Sequence, residues 1–167
     1  LVEGPQGSGH LSGSIAGQLG LPAGIPVAGG GGDNAASAIG MGVVKPGQAF
    51  VSLGTSGVLF AATPGYAAAP ESALHSFCHA LPESWHQMGV ILAAADAMNW
   101  FASVLGSPAA ALTADLGDLQ APSRTLFLPY LGGERTPHND AHVRASFLHM
   151  GHDTDRAALV RAVLEGV

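Results

Sequence analysis

The spacing of apolar positions changes several times along the chain, and each change predicts an element. Gly24-Ile25-Pro26-Val27-Ala28 is a short strand-like run leading into four glycines. Asn34 to Met41 is Ala-rich with Ile39 on one face, which predicts a helix. Gln48 to Leu53 and Val58 to Ala62 are short β-type runs around Gly54-Thr55-Ser56-Gly57, the pattern of a hairpin. Ser72 to Ala80 and Trp85 to Val90 predict a second strand pair around Leu81-Pro82-Glu83. From Leu92 to Leu105 the period lengthens, and Leu92, Met98, Phe101 and Leu105 can share one helical stripe, with Trp100 and Phe101 assigned to the core. Thr113 to Gln120 is a weaker helix, and Thr125 to Leu128 a buried strand stopped by Pro129. Arg144 to Met150 predicts a strand and Asp155 onward an amphipathic helix. Leu11 to Leu19 suits a short helix. Leu1 to His10, rich in Gly and Pro, and Leu131 to Val143 are expected to be loops. Strand pairs followed by helices, without an internal repeat, predict a mixed α/β domain.

Composition narrows the function classes. Apolar residues make up 47% of the 167, and charged residues only 11%, against roughly 25% in an ordinary soluble domain. Such a surface fits either self-association, as in a homodimer, or a face covered by further chain. The second is the expectation, because there is no starting Met and the last helix stops without a Gly-Pro exit or a basic last turn. A net charge of −6 with six Lys plus Arg argues against nucleic acid and against an anionic membrane surface. The longest apolar stretch, Val90 to Leu105, is broken by Asp96 and Asn99, so no transmembrane span is expected. The one cysteine, Cys78, cannot form an internal disulfide and fits a reducing cytoplasm.

Two small-residue segments carry the candidate chemistry. Asp33 ends the run Gly29-Gly30-Gly31-Gly32. Gly-Asp-Asn ahead of an Ala-rich helix is helix-capping chemistry, but a carboxylate where no Cβ bars a ligand also suits a general base. One residue can be both. Asn34 adds donors and acceptors for a polyol. The Gly54–Gly57 turn is a hairpin whether or not anything binds, yet successive amides with the Thr55 and Ser56 hydroxyls also make an anion nest. No GxxxxGK[ST] string is present and the only lysine, Lys45, sits in a Lys-Pro-Gly turn, which excludes a P-loop for this segment. The GSGHLSG string near the start does not match the dinucleotide fingerprint.

His75, Cys78 and His79 form an H-x-x-C-H string with His86 nearby, a spacing zinc sites use. On a strand His75 and His79 would face one side and Cys78 the other, and no second motif completes a tetrahedral set, so no metal ligand is assigned. Packed or hydrogen-bonded histidines, and a Cys78 behaving as a small hydrophobe, are the expectation. In Pro-Tyr-Leu-Gly-Gly-Glu-Arg-Thr-Pro-His-Asn-Asp, Glu134 and Arg135 are expected to hold the loop as a charge pair.

Together GGGGDNAASAIGMG, LGTSG, LHSFCHALP, AAADAMNW and FLPYLGGERTPHN resemble the xylulose kinases of the FGGY carbohydrate kinase family over essentially the whole chain. LHSFCHALP and LPYLGGERTPH are particular to that branch. The resemblance implies the ribonuclease H-like fold of actin, hexokinase and Hsp70-type ATPases, present here as a partial chain. Residues 1–28 would end the N-terminal FGGY domain and 29–167 begin the C-terminal one. It implies transfer of a phosphoryl group from ATP, with Mg²⁺, to D-xylulose. Asp33 matches the catalytic proton acceptor, Asn34 a substrate contact, Gly54 and Thr55 the turn at the nucleotide phosphates, and Asn99 a helix position near the nucleotide. Ala95 stands where related glycerol kinases have Gly, His149 where the second family signature (Ala145 to Glu165) has Gly, and Ala158 where it has a polar residue. The Asp-Gly-Thr phosphate and metal loop, most sugar contacts and the adenosine loop would lie outside these residues. Kinases of ribulose, gluconate or glycerol in the same family, and a non-catalytic His-rich metal- or sugar-binding module, are the alternatives.

Overall fold

A computed structural model describes all residues from Leu1 to Val167. The elements run β1 (Gly7–His10), α1 (Gly13–Leu19), β2 (Pro26–Ala28), α2 (Asp33–Gly40), β3 (Ala49–Leu53), β4 (Gly57–Thr63), β5 (His75–Cys78), β6 (Trp85–Ile91), α3 (Ala95–Val104), α4 (Ala109–Ala114), β7 (Leu126–Leu128), β8 (Ser146–Leu148) and α5 (Arg156–Gly166). Three sheets form, in the orders β1-β2, β3-β4-β6-β5 and β7-β8. No helix is long and apolar enough to cross a membrane.

The chain divides into two units. Unit 1 comprises residues 1–50, 60–68 and 75–88, and unit 2 residues 51–59, 69–74 and 89–167. In unit 1 the core is small and aromatic. Phe60 is fully buried with Ala38, Val43, Phe50 and Ala62 around it. The Phe50 ring stacks on one side at 4.9 Å and the His86 ring lies near-parallel at 4.2 Å. In unit 2, α3 turns Ala97, Met98, Phe101 and Ala102 onto Leu112 of α4, Phe127 of β7 and Val160, Ala162 and Val163 of α5. Phe147 of β8 fills the gap, with ring centroids 4.7 Å from Phe127 and 5.5 Å from Phe101. Burying each large side chain in such a cluster contributes about 1.5–3 kcal/mol, so α3 and α5 are held mainly by packing rather than by helix propensity.

Several elements depart from the periodicity, each for a local reason. Gly7–His10 is not loop but β1, antiparallel to β2 with Gly9 opposite Val27 and His10 opposite Pro26. All four of its residues are exposed, so burial left no alternation to read. Gly32, not Asp33, is the N-cap of α2, and Asp33 is the first helical residue. Helix α3 begins at Ala95 instead of Leu92, because the Ala94 backbone (φ −106°, ψ −97°) is not helical. α4 spans 109–114 rather than 113–120: Pro108 starts it and Leu112 is its one buried anchor. β8 is three residues long, set by pairing Leu126, Phe127 and Leu128 of β7 with Leu148, Phe147 and Ser146. Trp100 is 38% exposed, one position off the buried stripe of α3, and lays its ring against Phe127 instead of entering the core. α5 begins at Arg156 and not at Asp155, which is its N-cap, the carboxylate accepting from the Ala158 N–H at 2.8 Å.

Candidate active site

The four glycines before Asp33 do not leave the open approach expected of them. A Cβ on Gly29 would lie 2.6 Å from the Glu3 carbonyl oxygen, and one on Gly31 would lie 2.7 Å from the Ala80 methyl. Gly30 adopts φ +77°, which favours glycine. These glycines therefore pack the chain against its neighbours and turn it sharply. Gly32 alone faces open space while carrying ordinary negative φ. The result is to deliver Asp33 into the first turn of α2 with its side chain exposed. A carboxylate there also favours the helix, whose first turn carries the positive end of the backbone dipole. Its Oδ1 accepts from the Asn34 N–H at 2.7 Å and lies 3.3 Å from the Asn34 side-chain nitrogen.

Asp33 and Asn34 sit at the edge of a pocket of roughly 500 Å³, completed within unit 1 by Gly32, Ala35, Phe77, Cys78, His86 and Met88. The strand register builds the far wall. Phe77 of β5 lies opposite His86 of β6, and Met88 is two residues further along β6 on the same face. Cys78 is exposed, not buried. His86 is 4% exposed and its Nδ1 meets no hydrogen-bond partner. Burial, and behind it repulsion from His79, hold the His86 imidazole below its ordinary value.

His79 lies beyond the end of β5, so the alternation expected for His75 and His79 does not apply. Its Nδ1 accepts from the Leu81 N–H at 3.2 Å, which leaves the ring proton on Nε2 to be donated to the Val43 carbonyl at 3.0 Å. Both nitrogens are thus committed to backbone, which removes His79 from any metal set. No three His, Cys, Asp or Glu side chains converge to hold a metal ion.

Unit 2 contains the second candidate segment. Between β3 and β4 the Gly54 N–H bonds back to the Ser56 carbonyl at 2.9 Å. The turn's other carbonyls point at α3. Thr55 O accepts from Ala94 N–H at 2.9 Å and from Asp96 N–H at 3.3 Å, and Gly54 O accepts from Ala95 N–H at 3.0 Å. Three otherwise unpaired donors of the α3 N-terminus are satisfied by the turn. Within unit 2 the N–H groups of Thr55 and Ser56 meet no acceptor. An arrangement with carbonyls turned away and amides left over can receive an anion. Asn99 is exposed one helical turn beyond Ala95, on the same side of α3. Gly54 and Thr55 thus lie at the α3 N-terminus, and Asn99 is the fifth residue of the same helix.

The loop from Tyr130 to Asp140 supports that end. Glu134 is 3% exposed, and its Oε1 accepts from Leu92 N–H at 3.0 Å and Arg135 N–H at 2.7 Å. The expected Glu134–Arg135 charge pair is replaced by these backbone bonds, and the Arg135 side chain is exposed. Thr136 bonds Val90 in both directions, N–H to carbonyl at 3.0 Å and hydroxyl from N–H at 3.1 Å.

Comparison with known proteins decides the family. The model of the FGGY family of carbohydrate kinases, C-terminal domain, matches residues 49–167. The chain belongs to the FGGY family. It is 48% identical to the xylulose kinase of Escherichia coli K12 over 170 aligned residues, covering all of this chain and 35% of that protein. The structure superposes on that of a xyloylose kinase from Brucella ovis with a TM-score of 0.93 at 59% identity, covering 99% of this chain and 34% of that one. A gluconate kinase from Lactobacillus acidophilus shares the fold at a TM-score of 0.87 and 24% identity. The FGGY fold is the ribonuclease H-like ATPase fold expected from the sequence. The chain spans about a third of the length of the relatives it matches.

Of the residues singled out in sequence, Asp33 and Asn34 share one pocket, Gly54 and Thr55 meet the α3 N-terminus, and Asn99 is exposed further along that helix. Phe77, His86, Met88 and Glu134 were not singled out for these places. Strict alternation in Trp85 to Val90 puts His86 and Met88 on one face, so that signal was present. The role of Glu134 rests on contacts 42 residues apart in sequence, which no local pattern marks.

Proposed function

We propose that this chain is part of an ATP-dependent xylulose kinase that converts D-xylulose to D-xylulose 5-phosphate. The observation that carries the proposal is an exposed aspartate on a sugar-sized pocket, in a chain 48% identical along its whole length to a xylulose kinase. Residues 1–28 close the N-terminal FGGY domain and 29–167 begin the C-terminal one. Asp33 is the general base. As the sugar 5-hydroxyl oxygen bonds to the γ-phosphorus, the bond from phosphorus to the β,γ-bridging oxygen breaks. ADP leaves, and the hydroxyl proton passes to the Asp33 carboxylate. Asn34, whose amide lies beside that carboxylate, binds the substrate. The Gly54–Thr55 turn holds the nucleotide phosphates through its amides, and Asn99 contacts the nucleotide. ATP would bring Mg²⁺ as the counter-ion of its phosphates. These residues supply no ligand cluster for that ion. A cytoplasmic enzyme fits this substrate pair.

The test is a substrate panel on the full-length enzyme. D-xylulose should give the highest kcat/KM, with ribulose, gluconate and glycerol at least tenfold lower. A preference for any of those three would assign the chain to another branch of the FGGY family. The isolated 167-residue chain should show no turnover, because half of the phosphate site would be missing.

A further inference from the structure

We propose that Glu134 is a positioning residue for the Gly54–Gly57 turn, and through it for the nucleotide phosphates. This deepens the assignment of that turn as the phosphate site and rests on it.

The connection is continuous in hydrogen bonds. Glu134 Oε1 takes the Leu92 N–H at 3.0 Å, at the point where β6 has ended and α3 has not begun. Two residues on, Ala94 N–H and Ala95 N–H reach Thr55 O and Gly54 O at 2.9 and 3.0 Å. The segment Leu92–Ala94 therefore joins the carboxylate to the turn with only Ala93 between the bonded groups. Packing leaves it little freedom. Gly57 lies so close to Ile91 and Ala94 that a Cβ there would meet Ile91 Cγ1 at 2.7 Å.

Glu134 is itself fixed from behind. Its backbone exchanges two bonds with Asp140, at 2.8 and 2.9 Å. Gly133 precedes it at φ +89°, where a Cβ would fall 2.8 Å from the Ala141 Cα. The carboxylate is buried, and its Oε2 meets no partner at all. A group kept in place against such a desolvation cost needs a reason beyond packing, which an apolar side chain would serve better. The reason the geometry supplies is reach. A four-atom arm sets where β6 stops, and so where the α3 amides meet the turn.

Reach and charge can be separated by two substitutions in the full-length enzyme. Glu134→Gln keeps the arm and the acceptor oxygen. Glu134→Asp keeps the charge but is one methylene too short for Leu92. The measurements are kcat, KM for ATP, KM for D-xylulose, and amide exchange at Leu92, Ala94, Ala95 and Asp96. Glu134→Asp should raise KM for ATP or lower kcat by about tenfold, the scale of a lost charge-assisted bond. KM for D-xylulose should stay within about twofold and those four amides should exchange faster, while α5 amides do not. Glu134→Gln should stay within about threefold of the parent in every term.

An impaired Gln variant beside a normal Asp variant would overturn the proposal, as would unchanged exchange at Ala94–Asp96 in the Asp variant. So would faster exchange there with unaltered ATP kinetics. Thr55→Asp, which sets a carboxylate beside the turn's free amides and so repels an anion there, tells the two failures apart. If it too leaves KM for ATP and kcat unchanged, the assignment of the turn as phosphate site has failed along with the role of Glu134. If it impairs them, only the role of Glu134 has failed.

Discussion

Gly57→Ala is the sharpest small perturbation the structure offers. Gly57 opens β4, is buried, and has a backbone any residue can adopt, so the cost is one of space alone. The added methyl would sit 2.7 Å from Ile91 Cγ1, 2.9 Å from Ile91 Cδ1 and 3.4 Å from the Ala94 methyl. Carbon atoms in contact want about 3.5–4 Å, so a gap of roughly an ångström must be made. Ile91 cannot yield by moving a chain end alone, because the nearest atom is bonded directly to its Cβ. Retreat on the other side meets Ala94, whose N–H is tied to Thr55. Overpacking of this kind costs about 1–3 kcal/mol. A double-mutant cycle with Ile91→Ala isolates the clash, since removing Cγ1 and Cδ1 vacates the space the new methyl needs. Equilibrium urea unfolding followed by tryptophan fluorescence would read each variant. The double variant should be more stable than the sum of the singles by about 1–2 kcal/mol. Additivity within about 0.4 kcal/mol, or a neutral Gly57→Ala, would refute the reasoning that this contact fixes the turn.

Two further outcomes follow from unit 1 and α5. The His86 imidazole is held below its ordinary value by burial and then by His79, so the unfolded chain takes up that proton first. Its contribution to stability is full above the unfolded value of about 6.5 and declines as pH falls below it. His86→Phe, measured by denaturation between pH 7.5 and about 5, should flatten that decline, and an unchanged slope would show that His86 is not its source. Asp155→Ala removes the acceptor for Ala158 N–H and should cost about 1 kcal/mol in urea unfolding, whereas Asp155→Ser should recover most of it.

How much was legible in the sequence depended on whether the governing contact was local. The β3–β4 hairpin is written in its turn residues, and α5 in its apolar stripe. Asp33 could be located because glycines and a helix start mark it, but its cap role was misassigned by one residue: Gly32 takes that position. The glycines themselves misled for a physical reason. Open ligand space and close backbone packing both call for a missing Cβ, and only the Ala80 and Glu3 contacts distinguish them. β1 was illegible because an exposed strand of Gly, Ser and His buries nothing. Glu134 was illegible for the opposite reason: its partner Leu92 is distant in the chain, and a glutamate beside an arginine suggests a surface ion pair rather than a buried acceptor for backbone amides.

The most direct test of the assigned chemistry is the rate of Asp33→Asn in the full-length enzyme, with D-xylulose and ATP saturating and ATP binding measured separately. Loss of a positioned general base should lower kcat by about 10²–10⁴-fold while the affinity for ATP stays within about threefold. Turnover within a few-fold of the parent would contradict the assignment of Asp33 as the group that takes the sugar's proton.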